Sequence, residues 1–128
     1  MRELPFLIVI LKRFNILTGD PTIFARLMAV VEDRKAHPSE KSYTNRLFSG
    51  GVSKIGEKIS EEAAEVVEAA AEPGEAGRQH MVREAADLVY HLLVMLAHRD
   101  VPLAEVEAEL ARRFGISGLD EKASRPQA

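Results

Sequence analysis

Residues 52–98, VSKIGEKISEEAAEVVEAAAEPGEAGRQHMVREAADLVYHLLVMLAH, read as two long helices broken at Pro73-Gly74. Alanine, glutamate, leucine and arginine recur through the stretch, all of them good helix formers. Proline cannot donate to a helical ladder, and glycine permits the tight turn that must follow. Steps of about 100° along the first helix, 52–71, put Ile55, Ile59, Ala63, Val66 and Ala70 on one face. Lys54, Lys58, Glu61, Glu65 and Glu68 take the opposite side, and Glu62 lies between. Gly56, mid-helix, predicts close packing or a bend. The second helix, 76–98, is apolar nearly all round: from Ala85 to Ala97 the strongly polar side chains are Asp87 and His91. Such a helix belongs inside a bundle or in a subunit interface.

The flanks extend the same pattern. Asp20-Pro21 has the chemistry of a helix start, since aspartate caps free amides and proline fits the first helical position. A helix over 21–35 follows, with Ile23, Phe24, Leu27, Val30 and Val31 in a stripe, ended by His37-Pro38-Ser39. Residues 40–51 mix Ser, Thr, Asn and two glycines and read as a loop whose Lys41 and Arg46 keep it solvated. Asp100 and Pro102 open a last helix, 102–114, closed by Gly115. The expectation is an all-α helical bundle of about four helices: an extension over 1–19, a domain over 20–114 and a mobile tail over 115–128. With 128 residues there is room for one such domain.

Composition narrows the function. A net charge of −3 and a pI near 5.8 do not suit a domain that holds nucleic acid, which is met by a basic excess. With no cysteine, thiol catalysis, zinc-thiolate sites and disulfides are excluded, which fits a cytoplasmic protein. The apolar run at 4–11 is interrupted by Pro5 and followed by Lys12-Arg13. It is shorter than the roughly 20 residues that span a bilayer and lacks a small-x-small cleavage pattern, so neither a membrane helix nor a signal peptide is expected.

Chemistry concentrates in five acids, Glu61, Glu62 and Glu65 on one long helix and Glu84 and Asp87 on the other. Glu61 and Glu65 form a like-charge pair at i,i+4, and Lys58 offsets only part of it. Asp87, embedded in an apolar helix, must be paired, protonated or metal-bound if buried. Carboxylates converging from two rigid helices bind a hard divalent cation, Mg²⁺ with Mn²⁺ as the variant. The competing account is a solvated acidic face. Lys54 and Lys58 are candidates for phosphate contact, and His91, one turn beyond Asp87, for phosphate or a neighbouring carboxylate. His80 and His98 read as ordinary hydrogen-bonded helix residues.

Glu61-Glu62-x-x-Glu65 followed by Glu84-x-x-Asp87 resembles the all-α, MazG-like nucleoside triphosphate pyrophosphohydrolases. Four further segments resemble the phosphoribosyl-ATP pyrophosphohydrolase family: Ser42-Tyr43-Thr44 to Leu47-Phe48-Ser49-Gly50-Gly51, Lys54-Ile55-Gly56-Glu57-Lys58, Asp87-Leu88-Val89-Tyr90-His91, and the closing run 116–125. The resemblance covers about 21–125. It implies hydrolysis of phosphoribosyl-ATP to phosphoribosyl-AMP and pyrophosphate, the second step of histidine biosynthesis, with Mg²⁺. It also implies metal binding by Glu61, Glu62, Glu65, Glu84 and Asp87, catalytic roles for Glu61 and Glu62, and phosphate contact by Lys54 and Lys58. In related enzymes helices from two subunits complete the bundle, so a homodimer or larger assembly is expected. Residues 1–19 fall outside the resemblance. The phosphoribosyl-AMP cyclohydrolase domain fused to this one in some organisms has no counterpart here, so the next enzyme is expected to be a separate chain. The alternative activity is a house-cleaning (d)NTP pyrophosphohydrolase; the alternative class is a non-enzymatic helical binding module.

Overall fold

Helix follows helix: α1 (Ile23–Ala36), α2 (Tyr43–Ala71), α3 (Gly74–His98) and α4 (Leu103–Leu110), the last running into a π-helical turn, Ala111–Gly115. The computed structural model describes residues 22–115, and among them there is no strand. The 1–19 extension, the Asp20-Pro21 start and the 116–128 part of the tail lie outside the described residues. The all-α class is as expected. Two residues, Glu72 and Pro73, separate α2 from α3, and so short a connection makes the helices antiparallel neighbours. The core is Met28 and Val31 of α1, Leu47 and Ile55 of α2, and Leu93, Val94 and Ala97 of α3. Each large aliphatic buried there contributes about 1.5–3 kcal/mol.

Several local readings change. The cap of α1 is Thr22, whose hydroxyl accepts from the Ala25 amide at 3.2 Å, in place of Asp20. Residues 43–50 are helix and not loop: Ser42 caps the segment by accepting from Asn45, and Thr44 and Leu47 are buried. The helix does break, at Gly51, whose φ of 69° and ψ of −163° lie in a region open essentially to glycine alone. At Gly56 an added Cβ would meet only the Met95 methyl at 3.8 Å, so neither bend nor close approach is found there.

Another change concerns which face of α2 is buried. Ile55, Lys58, Ile59, Glu62, Glu65, Val66 and Ala69 turn toward the rest of the protein, while Ala63, Val67 and Ala70 are exposed. The helix is rotated relative to its apolar stripe, which carries two glutamates into the α2–α3 groove. On α3, Asp87 is exposed, so the desolvation argument made for it fails. Asp100 closes α3 and does not open α4. It adopts φ 57°, its amide bonds Ala97 O, and the Val101 amide bonds Leu96 O at 2.9 Å, a Schellman closure. Lys35 secures this end from α1. Its Nζ donates to Ala97 O at 2.9 Å, His98 O at 3.1 Å and Asp100 Oδ1 at 2.7 Å.

Two outcomes follow. Gly51→Ala, which meets no atom within 4 Å, costs about 1–3 kcal/mol from backbone strain alone, read from urea unfolding; an unchanged midpoint contradicts the strained bend. The ammonium of Lys35 holds the Asp100 carboxyl below its ordinary value. A depressed pKa contributes stability that is present above the unfolded value and is lost as pH falls through the folded one. The Tm advantage of wild type over Asp100→Asn is therefore flat near neutrality and disappears in acid; a constant advantage down to about pH 2 contradicts the linkage.

Candidate functional site

The Gly51 bend governs what the site contains. Tyr43 and Glu62 both reach the ring of His91: its Nδ1 faces Glu62 Oε1 at 2.5 Å, and its Nε2 faces the Tyr43 hydroxyl at 3.1 Å. On a straight helix these two residues would stand about 28 Å apart at 1.5 Å per residue, beyond what one imidazole can bridge. The bend folds the first two turns of α2 back over α3. Nδ1 also lies 3.0 Å from the Asp87 carbonyl. Both of its neighbours are acceptors, so Nδ1 carries the proton and donates; in the neutral ring the Tyr43 hydroxyl then donates to Nε2. The ring is clamped between two helices, with 5% of its side chain exposed, and Glu62 shows only 12%.

Beside this relay, Thr44 and Tyr90 share a hydroxyl hydrogen bond of 2.5 Å, and Tyr43 stacks on Tyr90 at a centroid separation of 6.3 Å. Partial burial raises the Tyr43 phenol above its ordinary pKa; Lys58 opposes the rise, while Tyr90, Glu62 and Asp87 add to it. One phenol thus lies in the fields of a cation and an acid from α2 and an acid from α3.

One or more turns farther along, Glu65 of α2 meets Glu84 and His80 of α3, with one ligand atom from each lying within 4.8 Å of the others. Contact with Glu84 raises the Glu65 carboxyl above the ordinary carboxylate value, chiefly through a hydrogen bond between them. Two carboxylates brought this close repel one another and mark a place where a cation can bind between them. Glu84 is 15% exposed and lies 3.4 Å from His80 Nε2. The acids Glu62, Glu65 and Glu84 therefore line the α2–α3 groove. Glu61 does not join them: it is half exposed and pairs with Lys58 at 3.5 Å, a contact that raises the Lys58 pKa. Asp87 contributes its carbonyl to His91 and its charge to the Tyr43 environment. Lys54 is exposed, as are Lys41 and Arg46.

Sequence reasoning gave Tyr43 no role and read His80 as an ordinary helix residue. Tyr43 sat in residues read as loop, although Ser42 followed by Thr44 and Leu47 carries a cap and a helical interval. His80 stands four residues before Glu84, a same-face spacing, and its other partner, Glu72, lies across the turn. Replacing His91 by Leu leaves the Glu62 carboxylate and the Tyr43 hydroxyl without their shared partner, at a cost of about 1–3 kcal/mol. Denaturant unfolding measures it; a neutral substitution would show that the relay contributes nothing to stability.

Comparison with known proteins bears on this groove. The profile of the family described as phosphoribosyl-ATP pyrophosphohydrolase matches residues 24–114. A "Phosphoribosyl-ATP pyrophosphatase" of Rhodopirellula baltica is 58% identical over 101 residues, 79% of this chain and 84% of that protein. One of the same name from Dinoroseobacter shibae is 52% identical over 104 residues, 81% of this chain and 99% of its own length. Another, from Nitrosospira multiformis, is 47% identical over 107 residues, 84% and 86% of the two chains.

Proposed function

The chain belongs to the phosphoribosyl-ATP pyrophosphohydrolase family, and from that premise we infer that it hydrolyses 1-(5-phosphoribosyl)-ATP to 1-(5-phosphoribosyl)-AMP and pyrophosphate in histidine biosynthesis. Water adds to the α-phosphorus, the α–β anhydride bond breaks, and pyrophosphate leaves with the bonding electrons. The observation that carries the reading is the groove wall of Glu62, Glu65 and Glu84, built from two helices. The relatives' shared name favours this substrate over free (d)NTPs.

The donor set fits a divalent cation: Glu65 and Glu84 are close enough to share a proton, and oxygen donors of this kind suit Mg²⁺ or Mn²⁺. Glu65 and Glu84 hold it in this reading, with Glu62 completing the acidic wall beside them. When bound, such an ion supplies neutralisation of phosphate charge and acidification of a water. The chain's own residues do the rest. Glu62, oriented by the His91 N–H, accepts the proton of the attacking water, a role that a fixed carboxylate fills well. Glu61, at the groove's edge, holds Lys58 so that its ammonium faces the polyphosphate. Lys54, on the same side of α2, adds positive charge. Tyr43 keeps His91 in place.

The assembly proposed is a homodimer or larger oligomer. Phe24, Val67 and Val82 are more than half exposed in the protomer, and a second copy would cover apolar surface of that kind. The location proposed is the cytoplasm; among the described residues no helix is long and apolar enough to cross a membrane.

The test is pyrophosphate release from phosphoribosyl-ATP with Mg²⁺. Wild type turns it over in preference to dCTP, dUTP and ITP, and Glu62→Gln lowers kcat by about 10²–10⁴, the range for a general base, with helicity retained by circular dichroism. Ready hydrolysis of the free nucleotides alongside an untouched phosphoribosyl-ATP overturns the substrate; full activity in Glu62→Gln overturns the residue's role.

A further inference from the structure

His80 is the groove residue that the proposed chemistry does not use. Its Nδ1 lies 3.1 Å from both carboxylate oxygens of Glu72, and Nε2 lies on the other side, 3.4 Å from Glu84 Oε2. Glu72 and Glu84 can both only accept, so with no ion present a ring N–H serves each of them, from Nδ1 and from Nε2; a cation that takes the place of the Nε2 proton leaves Nδ1–H on Glu72 and meets the Nε2 lone pair on the Glu84 side. A carboxylate that fixes one ring nitrogen while the other faces acidic ligands is how proteins orient a metal-binding histidine. The backbone enforces it. Glu72 is the C-cap of α2 and His80 lies in the second turn of α3. The turn between them is so tight that a Cβ at Gly77 would come within 2.3 Å of the Glu72 carbonyl.

We propose that His80 Nε2 is a third metal ligand beside Glu65 and Glu84, oriented by Glu72, and that this nitrogen tilts the site from Mg²⁺ toward a first-row transition cation such as Mn²⁺. The inference rests on the carboxylate-bound cation proposed above. Its chemistry is that of the donor set: Mg²⁺ prefers oxygen throughout, whereas imidazole nitrogen suits the transition metals and their affinity rises accordingly. Removing His80 therefore acts selectively. Removing Glu65 or Glu84 acts on both classes of ion.

The experiment is titration of the purified full-length protein with Mn²⁺ alone and with Mg²⁺ alone by calorimetry, with pulsed electron paramagnetic resonance of the Mn²⁺ sample. In wild type the Mn²⁺ signal carries coupling to a ring nitrogen. In His80→Gln that coupling disappears and Mn²⁺ Kd rises about 10–100-fold, the scale of ligand-shell losses, while Mg²⁺ Kd moves less than about threefold. Glu72→Gln, which leaves the imidazole in place, weakens Mn²⁺ by about tenfold and guards against misfolding of the first variant. Bound Mn²⁺ without nitrogen coupling, or an Mn²⁺ Kd unchanged in His80→Gln, overturns the proposal about His80 alone. Binding of either ion undiminished in Glu65→Gln and Glu84→Gln, or absent from wild type, overturns the carboxylate centre itself.

Discussion

Carboxylates held close together repel, and the contact between Glu65 and Glu84 is the constraint around which the rest of this protein is arranged. Nothing in helix propensity asks for it. Antiparallel packing of α2 on α3 creates the contact, and the rotation of α2 that hides Glu62 and Glu65 exposes Ala63, Val67 and Ala70 instead. That is an unfavourable exchange for a protomer on its own, because apolar surface stays wet while charge is partly desolvated. The neighbouring groups soften it: the Glu72-oriented ring of His80 beside Glu84 and the His91 donor on Glu62. A divalent cation would do so more completely.

Rigidity in the groove comes from its two ends. At one, the strained conformation of Gly51 folds the start of α2 back so that Tyr43 can reach His91, linking three segments through one imidazole. Toward the other, the Glu72–Gly77 turn fixes where α3 begins relative to α2. Lys35 and the Schellman closure at Asp100 then fix where α3 stops. The acids are thus carried on helices whose ends are both secured, and preorganisation of this kind lowers the cost of ordering a site when charge develops in it.

Much of this was legible in the residues. The two long helices and the break at Pro73-Gly74 followed from propensity and from proline's missing donor, and the acids were visible as spacing. What the sequence concealed was rotation. An apolar stripe defines a face only loosely, and in α2 Glu62 lies at the edge of that stripe with Glu65 beyond it on the side read as opposite, so the rotation of the helix brought both into the groove. Asp87 went the other way, because an apolar helix was read as buried on every side although one side of α3, with Val82 and Leu92, is exposed. Residues 43–50 were hidden by composition: Ser, Asn and glycines argue for loop, and packing of Thr44 and Leu47 overrides them. Tertiary partners such as Glu72 with His80 cannot be inferred from spacing along one helix.

The central claim is that acids of two helices surround one ion, and anomalous diffraction from crystals grown with Mn²⁺ and a non-hydrolysable substrate analogue tests it directly. The account predicts an anomalous peak between α2 and α3, at roughly 2.2 Å from carboxylate oxygens of both Glu65 and Glu84. Well-occupied Mn²⁺ peaks found only elsewhere on the protein, with those two carboxylates turned to solvent, would contradict it.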